Sequence, residues 1–262
     1  MGFYKVFLEY TNECINNVFE DLRGKRMLEL GNQEMLDLSI PERTGKAYFR
    51  NRGAQHISVD LNGLDGALPL DLTKPKQFAG WHNYFDIVTN MGTTEHVEPR
   101  KAQYECFSII HDCLKVGGVV IHLVPDIDDL IKTGFWKGHS FNYYSHDFFK
   151  MLCRNNNYKL LSLRIIKGHI CCCLQKEQDC SFMKNRKEFL GQISRRSEGA
   201  IAPGINDRGI AVKIFILRKI LFKLKKKIDT FLFSLIIYSV PVRHRLGLYR
   251  WWMRAKKRGH TT

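Results

Sequence analysis

Arg26-Met27-Leu28-Glu29-Leu30-Gly31-Asn32-Gln33 is a short apolar run with one acid inside it, ending on a glycine. A strand that stops at a glycine loop is where α/β folds bind ligands, because a backbone without a Cβ allows close approach. One glycine stands where a dinucleotide or phosphate fingerprint carries two or three, so the reading depends on what surrounds the stretch.

Upstream, residues 10–22 place Cys14, Ile15, Val18, Phe19 and Leu22 at helical spacing with Gly24 as the stop, predicting a leading helix within residues 1–24. Downstream, Ser39-Ile40-Pro41-Glu42 reads as a capping box with proline in the first turn, opening a helix to about Arg52. Residues 56–60 form a second strand ending on Asp60, and residues 68–72 a short extended piece around Asp71. Residues 85–90 form a buried strand. A helix from near Pro99 carries Cys106, Phe107, Ile110, Cys113 and Leu114 on one face and closes at Gly117-Gly118, before an apolar strand over 119–124. A helix over about 145–154 and two strands, 159–166 and 170–175, follow. Only Lys167-Gly168-His169 separates that pair, which predicts a hairpin. Strands alternating with helices predict an α/β, mostly parallel sheet with helices on both faces and an antiparallel edge.

A chain of 262 residues holds one or two domains. Of its 41 Lys and Arg and 26 Asp and Glu, 15 and one lie after residue 207, leaving 26 basic against 25 acidic residues before. The formal charge of +15 therefore belongs to a tail. Eight cysteines show no C-x-x-C pair. Neighbours in the run Cys171-Cys172-Cys173 point to opposite faces of a strand, so the run cannot converge on one metal. Reduced thiols of a cytoplasmic protein are the expectation, and no metal set is expected. The N-terminus has no apolar region of signal-peptide type.

Gly31, Asp60, Asp71 and Asn90 fall at the carboxyl ends of successive strands, which in an open parallel sheet line one crevice. An ionised aspartate can accept two hydroxyl protons, so Asp60 suits a ribose diol, and Asp71 could accept from an adenine amino group. The alternative is that both are polar strand-end residues and nothing more.

The order Leu28-Glu29-Leu30-Gly31, Val59-Asp60, Leu70-Asp71-Leu72, 85–88, Glu95-His96-Val97, 114–118 and Val124-Pro125-Asp126, with the turn 138–145, resembles the class I S-adenosylmethionine-dependent methyltransferases. It is most similar to the small-molecule and glycan branch of that family. The resemblance covers about residues 25–175 and implies a Rossmann-like seven-stranded sheet. It implies cofactor contacts from Glu29, Gly31, Asn32, Asp60, Leu61, Asp71, Leu72, Asn90 and Gly92, with S-adenosylmethionine as cofactor. The family loop is G-x-G-x-G, where this chain has Gly31-Asn32-Gln33.

Methyl transfer needs an acceptor held in line and, for a hydroxyl, a base; histidine suits that task. Among His96, His122, His139 and His146, the expected catalytic groups are His139 first and His96 second, with a loop-shaping role for His96 as the alternative. A nicotinamide dehydrogenase is the nearest competitor, opposed by the absence of G-x-G-x-x-G and of Tyr-x-x-x-Lys. The expected reaction is methylation of a hydroxyl or similar nucleophile on a small molecule, sugar or lipid-linked glycan. The alternative is a degenerate fold acting as a scaffold.

Residues 176–209 read as a linker, and residues 210–262 as a basic amphipathic helical tail with an apolar stripe through Ile210, Ile214, Leu217, Leu221, Leu224, Ile228 and Leu235. The apolar residues 231–240 fall short of the roughly 20 that span a bilayer. Peripheral association of residues 210–258 with an anionic membrane is expected, aided by Trp251 and Trp252 beside arginines. Packing on the domain or in an oligomer is the alternative, with nucleic acid behind it.

Overall fold

Residue pairs Met27/Leu28 of the quoted stretch and Ile87/Val88 further on are buried on both sides, and that double burial builds the fold around them. A computed structural model describes residues 2–37, 39–133 and 139–195. Its elements are β1 (Gly2–Phe3), α1 (Lys5–Asn16), β2 (Arg26–Leu30), β3 (Glu34–Met35), α2 (Gly45–Arg50), β4 (Gln55–Val59) and β5 (Phe85–Met91). They continue as α3 (Ala102–Cys113), β6 (Leu114–Pro125), α4 (Ile127–Thr133), β7 (Asn142–Tyr143), α5 (His146–Asn156), β8 (Tyr158–Ile166), β9 (His169–Lys176), α6 (Arg186–Gly191) and β10 (Ser194–Arg195). The tail expected over 210–262 and the end of the expected linker lie outside the described residues.

Six strands form the main sheet in the order β4-β2-β5-β6-β9-β8. The first four are parallel, while β9 runs antiparallel to both β6 and β8. Two apolar layers flank the sheet. Leu28, Val88, Val120 and Cys172 face α3 and α5 in one, and Met27, Ile87, Ile121, Cys171 and Cys173 lie with α1 and Phe49 in the other. Helices on both faces, a parallel body and the edge hairpin thus take the expected form. The hairpin turn sets Lys167 at φ 49° and Gly168 at φ 73°, as a two-residue turn matching strand twist requires.

Residues 68–72 make one parallel bridge, Val59 with Leu68, and no described strand. Leu68 exchanges bonds with Ser58 and Asp60, but Leu70 N, the next donor on that side, turns back to Leu68 O at 2.8 Å, so among the described residues six strands stand where seven were expected.

Three helices differ from expectation. The first starts at Lys5, because Phe7 and Leu8 extend its buried stripe upstream, and ends at Asn16. The second begins at Gly45, with Thr44 Oγ1 accepting from Ala47 N at 3.1 Å, in place of the capping box at Ser39. The stretch between is diverted: β3 pairs with β1, and Met35 N donates to Arg43 O. Finally, α3 ends at Cys113, and Gly117-Gly118 lies inside β6, where a Cβ on Gly118 would stand 2.9 Å from Asp86 O.

The expected linker is packed on the domain as far as its described part runs. Phe182, Met183, Phe189 and Ile193 are buried, Tyr104 donates to Met183 O at 2.7 Å, and Arg100 donates to the carbonyls of Leu190 and Ile193. Its apolar residues are scattered among charges, which hides them from periodicity. No helix among the described residues is long and apolar enough to cross a membrane.

Candidate functional site

Leu30 is in register with Val59 on one side and Asn90 on the other, so the three parallel strands end level. Gly31 N donates to Val59 O and Gly92 N to Leu123 O, both at 2.8 Å, and then the chain leaves the sheet at φ 79° and 76° respectively. A side chain at Gly31 would also collide: its Cβ would lie 2.5 Å from Thr93 Oγ1 and 2.7 Å from Gln33 Nε2. Glycine is required here by both conformation and space.

Asp60 stands at the end of β4 beside this turn. Its Oδ2 accepts from Asn32 N at 3.0 Å and its Oδ1 from Asn62 N at 3.1 Å. Each carboxylate oxygen can accept more than one bond, so capacity for a diol remains. The loop after it exposes three leucines, Leu61, Leu64 and Leu68, an unusual density of open apolar surface. Such a carboxylate offers acceptors for hydroxyl groups beside exposed apolar carbon. Among the expected contacts, Asp71 forms a local turn, Oδ1 accepting from Thr73 N at 2.8 Å, and Leu72 belongs to the core.

Other expected cofactor contacts sit elsewhere. Glu29 is fully buried on the α2 face, its Oε1 accepting from Gln33 N at 3.2 Å and its Oε2 lying 3.6 Å from His56 Nε2. There it holds the loop from below. Asn32 reaches away to Asp65 Oδ2 at 2.7 Å, and Lys46 Nζ bonds Asp65 O at 2.8 Å, tying loop 62–67 over loop 31–33. Gln33 is buried, with Nε2 3.2 Å from Leu30 O and 3.3 Å from Thr93 Oγ1, so its amide occupies ground that a second glycine would leave open. Asn90 directs its side chain into the protein. It donates to Thr94 Oγ1 at 2.8 Å and contacts His122 Nδ1 at 3.0 Å, while its Oδ1 accepts from the Thr93 and Thr94 amides.

Beyond Thr93 the turn after β5 carries Glu95 and His96, and the two expected catalytic histidines meet here. The rings of His96 and His139 are 5.1 Å apart between centroids, and Glu95 Oε1 is 3.9 Å from His96 Nε2. Burial pushes the Glu95 carboxyl up to about 8 and holds His139 down to about 4, so Glu95 is protonated and His139 neutral at pH 7. His122 is no part of this group: it lies inside the core against Phe107 and Phe149, and burial holds it down to about 3. His146 opens α5 behind the Ser145 cap.

Residues that carry no motif or periodic signal in the sequence fix this turn in place. Gln103 Nε2 donates to Thr94 O at 2.6 Å and Val97 O at 2.9 Å, and Tyr144 donates to Gln103 Oε1 at 2.7 Å. Thr93 Oγ1 donates to Leu30 O at 2.7 Å, joining the turn to the end of β2. An open depression of about 290 Å³ lined by Arg26, Arg50, Gln55 and Tyr84 lies at the amino ends of β2 and β4, the opposite edge of the sheet. Ligands of open α/β sheets bind at the carboxyl ends, so the Gly31–Asp60 edge is the candidate site.

No protein-family model matches the chain, and no curated protein matches it. Solved structures do. A 1,6-didemethyltoxoflavin-N1-methyltransferase of Burkholderia thailandensis, with bound 1,6-didemethyltoxoflavin and S-adenosylhomocysteine, is 13% identical with a TM-score of 0.48, over 66% of this chain and 79% of that one. The N-methyltransferase NodS of Bradyrhizobium japonicum, in complex with S-adenosylhomocysteine, is 9% identical with a TM-score of 0.48, over 66% and 87%. An O-methyltransferase family protein of Burkholderia thailandensis is 12% identical with a TM-score of 0.47, over 66% and 56%. These likenesses concern the course of the backbone alone.

Proposed function

We propose that this chain is an S-adenosylmethionine-dependent methyltransferase acting on a hydroxyl or similar nucleophile of a small molecule, sugar or lipid-linked glycan. The observation that carries the reading is Asp60, a carboxylate at the end of β4 with acceptor capacity to spare, beside the Gly31 turn and the exposed Leu61, Leu64 and Leu68.

S-adenosylmethionine supplies an electrophilic methyl group on a sulfonium. The chain's tasks are to hold an acceptor in line and to receive its proton. His139, neutral at pH 7 and paired with His96, is the group for the second task, at the edge adjoining Thr93. A depressed pKa makes it a ready but weak base, suited to an acceptor whose own proton is acidic.

Titration calorimetry with S-adenosylmethionine on the wild type and on Asp60→Asn tests the proposal. Saturable binding that weakens at least tenfold in the variant is expected, about 1.4 kcal/mol. No binding by the wild type, or equal binding by a variant that melts like it, overturns it. The second reading, a degenerate fold serving as a scaffold, draws on the Asn32–Asp65 bridge and the buried Gln33, and predicts the first of those two outcomes.

For residues 210–262 the proposal remains peripheral association with an anionic membrane, argued from their charge and apolar stripe. Liposome flotation of the full chain against a chain ending near Asp207 tests it, and equal flotation refutes it.

A further inference from the structure

Glu95 is fully buried, and neither of its carboxylate oxygens accepts a hydrogen bond from another residue. A buried acid in that state is costly unless something else meets it, since a desolvated oxygen loses its water and gains nothing in return. Two imidazoles meet it. One donor atom from each of Glu95, His96 and His139 lies within 4.8 Å of the other two, and no other group of three such side chains converges in this way among the described residues.

We propose that Glu95, His96 and His139 bind a divalent transition-metal ion. Two imidazole nitrogens and one carboxylate favour zinc or its first-row neighbours over magnesium or calcium, which prefer all-oxygen shells. Metal–ligand bonds of about 2.0–2.2 Å put tetrahedral donors roughly 3.4 Å apart, so the three close inward by side-chain rotation on binding. The Glu95–His96 pair, at 3.9 Å, is nearly at that spacing already.

The backbone around the site is built to keep such a geometry. Asn142 Nδ2 donates to the carbonyls of Glu95 and Val97, Phe141 N donates to Glu95 O at 3.2 Å, and Gln103 holds Thr94 and Val97 from the other side. The turn carrying two ligands is thereby tied to the segment carrying the third. Three protein ligands leave at least one coordination position open, which is the pattern of a site that takes water or a substrate oxygen. That an acceptor oxygen fills it rests on the methyltransferase reading, with His139 then serving as a ligand in place of its role as free base; the metal site itself does not rest on that reading.

The full chain, stripped with a chelator, is titrated with Zn²⁺ by calorimetry and with Co²⁺ by visible absorption, without S-adenosylmethionine, so that failure here and failure of the methyltransferase reading are separate results. One ion per chain is expected, with cobalt ligand-field bands and no thiolate-to-metal charge transfer. Glu95→Gln and His139→Ala should each weaken Zn²⁺ binding at least tenfold, while His82→Ala, at an exposed histidine, leaves it unchanged. Should Glu95→Gln fail to fold, His139→Ala decides alone. Absence of stoichiometric binding, undiminished binding in His139→Ala, or charge-transfer bands that place the ion on cysteines overturns the proposal.

Discussion

Asn142 Nδ2 donates to Val97 O at 2.9 Å, and the same nitrogen reaches Glu95 O at 3.2 Å. One amide therefore sets the distance between the turn after β5 and the segment after α4. Its replacement by alanine removes one hydrogen bond from each of two buried carbonyls that keep a second donor, Phe141 N on Glu95 O and Gln103 Nε2 on Val97 O, so the loss is that of two ordinary hydrogen bonds, about 1–3 kcal/mol. Chemical denaturation should show that drop. Binding of Zn²⁺ should weaken too, because His139 loses its fixed relation to Glu95.

Gly31→Ala is expected to destabilise by more than the roughly 1–2 kcal/mol that a left-handed backbone costs an L-residue, since its Cβ also meets Thr93 Oγ1 at 2.5 Å. The double variant with Thr93→Ala should recover part of the loss by removing that oxygen. A denaturation midpoint no better in the double variant than in the single one would show that relief of the Thr93 contact does not outweigh the hydrogen bond from Thr93 Oγ1 to Leu30 O that is lost with it.

His122 gives the folded state an acid limb. An unfolded imidazole titrates near 6.5, whereas burial holds the folded side chain down to about 3, so the stability present above pH 6.5 is lost as pH falls toward 3. His139, held to about 4, adds to the same window. Glu95 acts with the opposite sign: raised to about 8, it favours the fold below pH 4.5 and loses that favour as pH rises through 8. Melting temperature followed from pH 7 to 4 should fall less steeply in His122→Phe than in the wild type.

Phe189 is fully buried and packs edge-on against Phe107, Phe148 and Tyr104. Phe189→Ala should cost about 3–5 kcal/mol, the range for emptying a buried aromatic site. A residue in a true linker would cost nothing measurable. Limited proteolysis should cut the variant between residues 177 and 195 well before the wild type.

The parts that could be read from sequence share a physical trait: their signal is local. Residues 26–30, 56–59 and 85–90 are mostly buried on both faces and show as short segments of closely spaced apolar residues broken only by single or terminal polar ones, and Lys167-Gly168 is a turn by composition. The helix expected at Ser39 fails because Glu34 and Met35 pair with Gly2 and Phe3, a choice made between distant residues. Positions 177–195 look like a linker because the bonds that seat them run from Arg100 and Tyr104. At the site, Gly31 and Asp60 follow from strand ends alone. His96 and His139 could be named singly, but their meeting with Glu95 depends on Asn142 and Gln103, whose amides carry no periodic signal.

Cys172 lies in one apolar layer and Cys171 and Cys173 in the other, while Cys153 and Cys180 are half-buried. A thiol-specific alkylating reagent therefore meets a built-in clock: mass spectrometry of timed reactions would register the two half-buried sulfurs first. It would then show whether the two sides of the sheet come apart together or in sequence.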